Sequence, residues 1–366
     1  MKFDTVGFIG LGLIGGSIAR KLKQNNPNTR ILATARHADT IDTAFSMQLI
    51  DNDRPVPISD FSECDTIFLC APVKENISYL KELKQIIRPD CMITDVGSTK
   101  GDIHKAVCAL SLEANFIGGH PMTGSEKTGI RNADPSILVN AYYIITPTAI
   151  SREEDVEDYR SFVSSLGAIP LILAPTTHDH ATASISHLPH IIAYALVSLI
   201  RDADDGNETM KTIAAGGFKD ITRIASSSPE MWQNICGSNR EQILAMIDAF
   251  SGELSKIREL IDAKDAGALT AYFQTAKDYR DSLLVPSVRP RSAIHEIFID
   301  LDDKAGELAI VSSMLGSKGI SIKNIGIIHN REFEQGVLRV EFYDSEAAAK
   351  AFDLLRARNY KIYLRN

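Results

Sequence analysis

This chain of 366 residues has few cysteines, no basic surplus and a single tryptophan. Its five cysteines, Cys64, Cys70, Cys91, Cys108 and Cys236, are scattered and form no CxxC pair. That spacing excludes a disulfide or zinc framework, gives no metal site, and fits reduced, mostly buried thiols in a cytoplasmic protein. Lys and Arg number 39 against 47 Asp and Glu, a net charge of −8. With nothing to neutralise a phosphate backbone, nucleic acid is not a main partner. A few local cations still allow an anionic small molecule. Internal repeats and low-complexity tracts are lacking, which excludes solenoids. Residues 181–200 lack any Asp, Glu, Lys or Arg, and about 20 apolar residues can span a bilayer. Thr182, Ser184, Ser186, His187, Pro189 and His190 lie in that run. They favour a helix buried inside a protein, at a subunit interface, with no membrane partner.

The remaining pattern divides into three. Residues 1–175 alternate short apolar runs with helical periodicity, which predicts an α/β domain with a largely parallel sheet. Strands are expected at Thr5–Ile9, Arg30–Ala35, Thr66–Cys70, Met92–Val96, Phe116–Ile117 and Ala141–Thr146, with Leu171–Leu173 as a further candidate. The start, MKFDTVGFIGLGLIGG, is a first strand entering a glycine loop and not a signal peptide, since Asp4 interrupts it and no cleavage site follows. Residues 176–285 are all-helical. A proline-containing linker then leads into residues 293–366, whose pattern is βαββαβ, a ferredoxin-like plan.

Gly10-Leu11-Gly12-Leu13-Ile14-Gly15 fits GxGxxG between an apolar strand and a helix. Gly10 permits the turn, Gly12 admits a pyrophosphate, and Gly15 lets helix and strand approach; Leu13 and Ile14 open the helix. Free N–H groups at the helix start then face the phosphates. An acidic residue usually ends the second strand of NAD-binding versions. Here Ala33-Thr34-Ala35-Arg36-His37 stands there. Arg36 can accept a 2′-phosphate, which leans toward NADP. A solvent-facing Arg36 with Asp39 on the ribose is the alternative, so the cofactor is NAD or NADP.

Downstream lies GGHPMTGSE, residues 118–126. His120, flanked by two glycines and a proline, has the titration range and reach of a general base; a structural turn histidine is the bland alternative. Ser98 follows a strand end, where such sheets bind ligands, and it suits a hydrogen bond to a nicotinamide, a substrate hydroxyl or the neighbouring histidine, or else a helix cap. Glu126 orients or gates the site, or is a solvated carboxylate. His187 and His190 lie on one helix without a carboxylate at ligand spacing, so His190 suits a substrate hydrogen bond better than a metal. In GGFKDITR, residues 216–223, Asp220 and Arg223 are three apart. Arg223 is either a bidentate carboxylate clamp or a surface ion pair. Trp232 is a core residue or an active-site wall.

Together GLGLIGGS, DVGSTK, GGHPMTGSEKTG, SHLPH and GGFKDITRIASSSPEMW closely resemble the bacterial prephenate dehydrogenase family of tyrosine biosynthesis, in the family's order and over nearly all of residues 5–240. The resemblance implies oxidative decarboxylation of prephenate to 4-hydroxyphenylpyruvate, with His120 taking the hydroxyl proton. It implies that Arg223 holds a substrate carboxylate and that Ser98 and His190 bind substrate or align His120. Glu126, Lys219 and Asp220, beside Gly216, would form a charged network at the entrance. The helical domain would form a homodimer, with Trp232 closing the partner's site. The C-terminal segment resembles an ACT domain, on Asp303-Lys304-Ala305-Gly306-Glu307-Leu308 and the run ending at Asn324, with Ala305 where a proline is usual. That implies an amino-acid effector, tyrosine being the candidate. Rival readings are an arogenate (cyclohexadienyl) dehydrogenase, a β-hydroxyacid dehydrogenase, and a non-catalytic amino-acid sensor.

Overall fold

The computed structural model describes residues 2–124, 128–283, 295–301, 304, 306–328 and 336–364. The chain forms two compact units, Met1–Glu259 and Leu260–Asn366.

The first unit opens with β1 (Thr5–Ile9), α1 (Leu13–Asn25), β2 (Arg30–Thr34), α2 (Ala38–Ser46), β3 (Thr66–Leu69), α3 (Val73–Leu83), β4 (Met92–Asp95) and α4 (Gly101–Ala109). The strands form a parallel sheet in the order β2-β1-β3-β4. Crossover helices cover such a sheet on both faces, so its strands are apolar throughout rather than alternating. Val6, Phe8 and Phe68 pack on one face with Ile18 of α1, while Ile9, Ile67, Leu69 and Ile93 pack on the other with Leu80 and Ile103. The chain continues through β5 (Ile117–Pro121), β6 (Tyr142–Pro147), α5 (Glu153–Ser165) and β7 (Ile169–Ile172). These strands form a second sheet, β5-β6-β7, in which β5 is antiparallel to β6 and β6 parallel to β7. A parallel bridge from Ile93 to Phe116 links it to β4.

Strand β5 is longer than the expected Phe116–Ile117 and carries the GGHP sequence within it. Glycine and proline disfavour strands, so local propensity hides this one. Tertiary contact overrides it. A Cβ on Gly119 would lie 2.6 Å from the Tyr159 hydroxyl and 2.7 Å from the Asp95 carbonyl, and one on Gly118 would strike Thr146. Only a strand without side chains at these two positions fits between its neighbours.

Helices then take over: α6 (Pro175–Thr182), a π-helical turn (Ala183–His187), α7 (Leu188–Ala203), α8 (Thr209–Ile213), α9 (Gly216–Thr222), α10 (Pro229–Ser238) and α11 (Arg240–Asp262). The first three are continuous from Pro175 to Ala203. Pro189 cannot donate to the preceding turn and its ring crowds the carbonyl there. The wider turn just before it absorbs that defect. This helix is long and apolar enough to cross a membrane by length and composition, but only 17% of its apolar window is buried within the chain. Within the single chain the helix is largely uncovered, with Ile185, Val197 and Leu199 exposed.

The second unit contains α12 (Ala266–Ser282), β8 (His295–Leu301), α13 (Glu307–Ser317), β9 (Ile322–Ile328), β10 (Gly336–Phe342), α14 (Ser345–Arg356) and β11 (Lys361–Leu364). From β8 onward this is the expected βαββαβ order, in an antiparallel sheet β11-β8-β10-β9. Alternation sends Ile297, Ile299, Leu338 and Val340 into a core with Val311, Leu315, Ala351 and Leu355 of the two helices.

Candidate active site

Every group that converges on His120 belongs to the first unit. His120 sits near the end of β5, half-buried. Its Nδ1 lies 2.7 Å from Nε2 of His178, on α6. Nδ1 of His178 lies 2.8 Å from Oδ1 of Asp179. The Asp179 carboxylate in turn accepts the backbone N–H groups of Lys100 and Gly101, each at 2.7 Å. These N–H groups open α4, so the carboxylate also meets the positive end of a helix dipole. Burial alone would raise the Asp179 pKa. The hydrogen bonds from His178 and from the two backbone N–H groups outweigh burial and hold it below the usual carboxylate value. His178 and Asp179 are both buried.

A second buried charge supports the strand itself. Lys100 is fully buried and its ammonium pairs with Asp95, at the end of β4. The same ammonium donates to the Gly119 carbonyl at 2.6 Å, and Asp95 accepts the N–H of Gly119 at 3.2 Å and of Gly97 at 2.9 Å. Residue 119 is thus held through both its backbone groups, and His120 follows directly. Burial pulls the Lys100 pKa down, against the pull of Asp95. Burial, together with His178, Lys100 and His187, holds His120 well below the ordinary imidazole value. A neutral imidazole at neutral pH is the form a general base needs.

The network extends through the helices. Asn239 donates to the Asp179 carbonyl at 2.8 Å and lies 3.2 Å from Nδ1 of His187, within the π-helical turn. Burial lowers the His187 pKa to about 4. His187 meets the edge of Trp232, and His190 stacks on the same indole with centroids 4.1 Å apart. Nδ1 of His190 donates to the Ser186 carbonyl at 2.9 Å, which leaves Nε2 as its second hydrogen-bonding atom. Trp232 is buried, and its Nε1 has no partner among the described residues. Thr99 reaches Ser238 of α10 at 2.9 Å, tying the β4–α4 loop to the helices.

The other expected residues are placed less tightly. Ser98 lies half-buried in the β4–α4 loop, two residues before Lys100, and no hydrogen bond joins it to His120 among the described residues. Gly216, Lys219 and Asp220 are exposed positions of α9, and Arg223 opens the turn Arg223–Ser226, which packs on α7. Glu126 and Asp303 lie outside the described residues. Gly306, at φ +97°, caps α13, whose first turn holds Glu307 and Leu308, and Asn324 lies in β9.

At the N-terminal loop, Gly10 has φ +87°, and a Cβ there would lie 2.5 Å from the Ala71 nitrogen. Gly15 packs closely on Cys70, as a helix-on-strand glycine should. Gly12 differs: a Cβ there meets nothing within 4 Å. It caps α1, so the space above it faces the free N–H groups of Leu13 and Ile14. A dinucleotide pyrophosphate fits that opening. Arg36, at the end of β2, pairs with Glu75 in the first turn of α3.

The prephenate dehydrogenase nucleotide-binding domain family matches residues 18–172, and the prephenate dehydrogenase dimerization domain family matches residues 174–275. A Bacillus subtilis protein named prephenate dehydrogenase is 38% identical over 357 residues, 97% of this chain and 96% of the relative. The chain belongs to the prephenate dehydrogenase family. Among solved structures, the Aquifex aeolicus prephenate dehydrogenase in complex with hydroxyphenyl propionate and NAD+ superposes with a TM-score of 0.73. It is 29% identical and covers 77% of this chain and 99% of its own. A Synechocystis arogenate dehydrogenase has a TM-score of 0.68 at 30% identity, covering 76% of this chain and 99% of its own. The chain is therefore an oxidoreductase with a nicotinamide-binding Rossmann-type domain and a helical domain of the dimerisation type.

Asp95, Lys100, His178, Asp179 and Asn239 were not singled out from the sequence. One signal was legible. Pro175-Thr-Thr-His178-Asp179 opens a helix with an adjacent His–Asp pair. That pair can point both groups off one helical turn, toward a neighbouring helix start and strand end.

Proposed function

We propose that this chain converts prephenate to 4-hydroxyphenylpyruvate in tyrosine biosynthesis, by nicotinamide-dependent oxidation coupled to decarboxylation. The observation that carries the reading is His120: an imidazole at a strand end whose Nδ1 meets His178, whose Nε2 has no hydrogen-bond partner among the described residues, and which burial holds well below the ordinary imidazole value. Gly10, Gly12, Leu13, Ile14 and Gly15 would hold the dinucleotide. When bound, its nicotinamide supplies the hydride acceptor. His120 takes the proton of the ring hydroxyl as hydride leaves the carbon bearing it, the ring carboxylate departs as CO2 while the ring becomes aromatic, and the phenolate oxygen takes a proton back. Arg223 clamps a substrate carboxylate, and Lys219, Asp220 and Glu126 surround the entrance beside Gly216. Ser98 and His190 hydrogen-bond the substrate, and Trp232, stacked on His190, forms a wall.

Several finer points belong to this reading. Arg36 favours NADP by its charge, its partner Glu75 opposes a 2′-phosphate, and the ratio of rates with NAD and NADP decides between them. A homodimer accounts for the exposed apolar side chains Val197 and Leu199 on α7. We divide the chain into a dinucleotide domain (1–175), a helical domain (176–285) and an ACT domain (293–366). Tyrosine is the effector expected near Asp303, Gly306, Glu307, Leu308 and Asn324. The five free cysteines suit a cytoplasmic location.

Arogenate is the second reading, because it offers the same ring chemistry and the Synechocystis neighbour bears that name. Initial rates of nicotinamide reduction with prephenate and with arogenate, each against NAD and NADP, test both. Turnover of prephenate is expected. Turnover of arogenate alone would transfer the mechanism to the amino substrate, and no turnover at all would contradict the enzyme reading.

A further inference from the structure

We infer that His178 and Asp179 form a positioning relay that fixes which nitrogen of His120 is the base and holds the charge His120 gains. The inference rests on the proposed role of His120 and adds two residues to it.

Asp179 accepts two backbone N–H groups at 2.7 Å, one on each oxygen, and these bonds with that from His178 favour its ionised form against burial. An ionised carboxylate is an acceptor only, so the 2.8 Å contact to His178 requires a proton on His178 Nδ1. In neutral His178 the other nitrogen, Nε2, is then an acceptor. It lies 2.7 Å from His120 Nδ1, so that atom carries the proton and donates it. The remaining nitrogen of His120, Nε2, is left with its lone pair. The chain of partners thus selects one tautomer of His120, and it is the one able to accept a hydroxyl proton.

The same chain acts when the proton arrives. The substrate O–H proton moves to His120 Nε2 while the hydride leaves the carbon for the nicotinamide. His120 becomes an imidazolium, and its Nδ1–H stays in place, directed at His178 Nε2. Behind His178 stands the negative charge of Asp179, which the backbone N–H groups of Lys100 and Gly101 at the positive end of α4 hold in position. The other charged and titratable groups facing this chain are His187 in the π-helical turn, Lys100 with its partner Asp95 at the end of β4, and His104 on α4. Lys100 is paired with Asp95 but still acts against a charged His120. That leaves Asp179 as the anion that offsets a charged His120.

Three variants test this: His120→Asn, Asp179→Asn and His178→Gln, with His178→Leu as the control. The measurement is kcat and KM for prephenate across the pH range. The relay predicts that Asp179→Asn lowers kcat by about 100- to 10,000-fold, with KM changed less than about threefold. The acid limb of kcat should also move to lower pH by about one unit, because an anion that favours protonated His120 has been removed. His178→Gln, which leaves the helix start intact and keeps an acceptor oxygen for His120, should retain at least about tenfold more turnover than His178→Leu. An unmoved acid limb, a loss carried by KM alone, or equal turnover of the Gln and Leu variants would overturn the relay. If His120→Asn is impaired while the His178 and Asp179 variants behave as wild type, the relay fails and the role of His120 stands. If His120→Asn turns over normally, the functional reading itself fails.

Discussion

At the residue scale, the glycines separate fold from function. Gly10 and Gly12 stand two residues apart in one loop, yet the space around them differs. A methyl on Gly10 meets the backbone of Ala71 and sits at positive φ, whereas one on Gly12 meets nothing. Gly10→Ala should therefore destabilise the domain, by about 1–3 kcal/mol for strain at positive φ. Gly12→Ala should leave the melting temperature within about a degree, since a surface change away from other contacts costs little. It should still weaken nicotinamide dinucleotide binding, because the methyl enters the space the pyrophosphate needs. Calorimetric titration beside thermal denaturation checks both, and full-strength binding by Gly12→Ala would remove that glycine from the cofactor site. Residue-level legibility was uneven for the same physical reason. GxGxxG is a local motif and can be read along the chain. Lys100 reaches Gly119, 19 residues on, and Asp179 reaches the Lys100 N–H, 79 residues back, and no local pattern reports either contact.

At the element scale, the π-helical turn Ala183–His187 sets the phase between two groups of histidines. His178 lies before it and faces β5, while His190 lies after it and stacks on Trp232. An extra residue in one turn rotates everything downstream by about 100°, the angular step of a helical residue. Deleting Ser184, whose hydroxyl only back-bonds within the helix and touches Met246, should relax the turn to α-helical geometry. The variant is expected to remain helical by circular dichroism but to lose at least about 100-fold in kcat, the smaller end of a lost acid–base contribution. Turnover within a few-fold of wild type would show that the phase does not matter. The sequence predicted helix throughout this region but not the turn, because π geometry has no residue signature beyond the proline that follows. Strand β5 was cut short for a related reason. Its glycines read as loop until Tyr159, Asp95 and Thr146 are seen beside them.

At the scale of the whole molecule, buried neutral histidines couple stability to pH. Burial lowers His104 and His187 from 6.5 to about 4. Between those values the unfolded chain takes up a proton at each site and the folded chain does not. Stability should therefore fall as pH drops through that window and level off below it. Each site contributes at most about 3 kcal/mol by this linkage. Thermal denaturation near neutral pH and again within the window should show a drop of several degrees, and a melting temperature that does not change would contradict the assignment of both histidines as buried and neutral. The change from α/β to helical pattern and the ferredoxin-like order of the C-terminal part were legible from periodicity alone. The open apolar face of Pro175–Ala203 was not, because composition gives the length of an apolar helix and not what covers it.

His120 is proposed as the base that takes the hydroxyl proton. Its most direct test is the rate of nicotinamide reduction with prephenate by His120→Asn, measured beside wild type together with substrate affinity. The account predicts a loss of about 100- to 10,000-fold in turnover with affinity nearly intact. Turnover equal to wild type would contradict it.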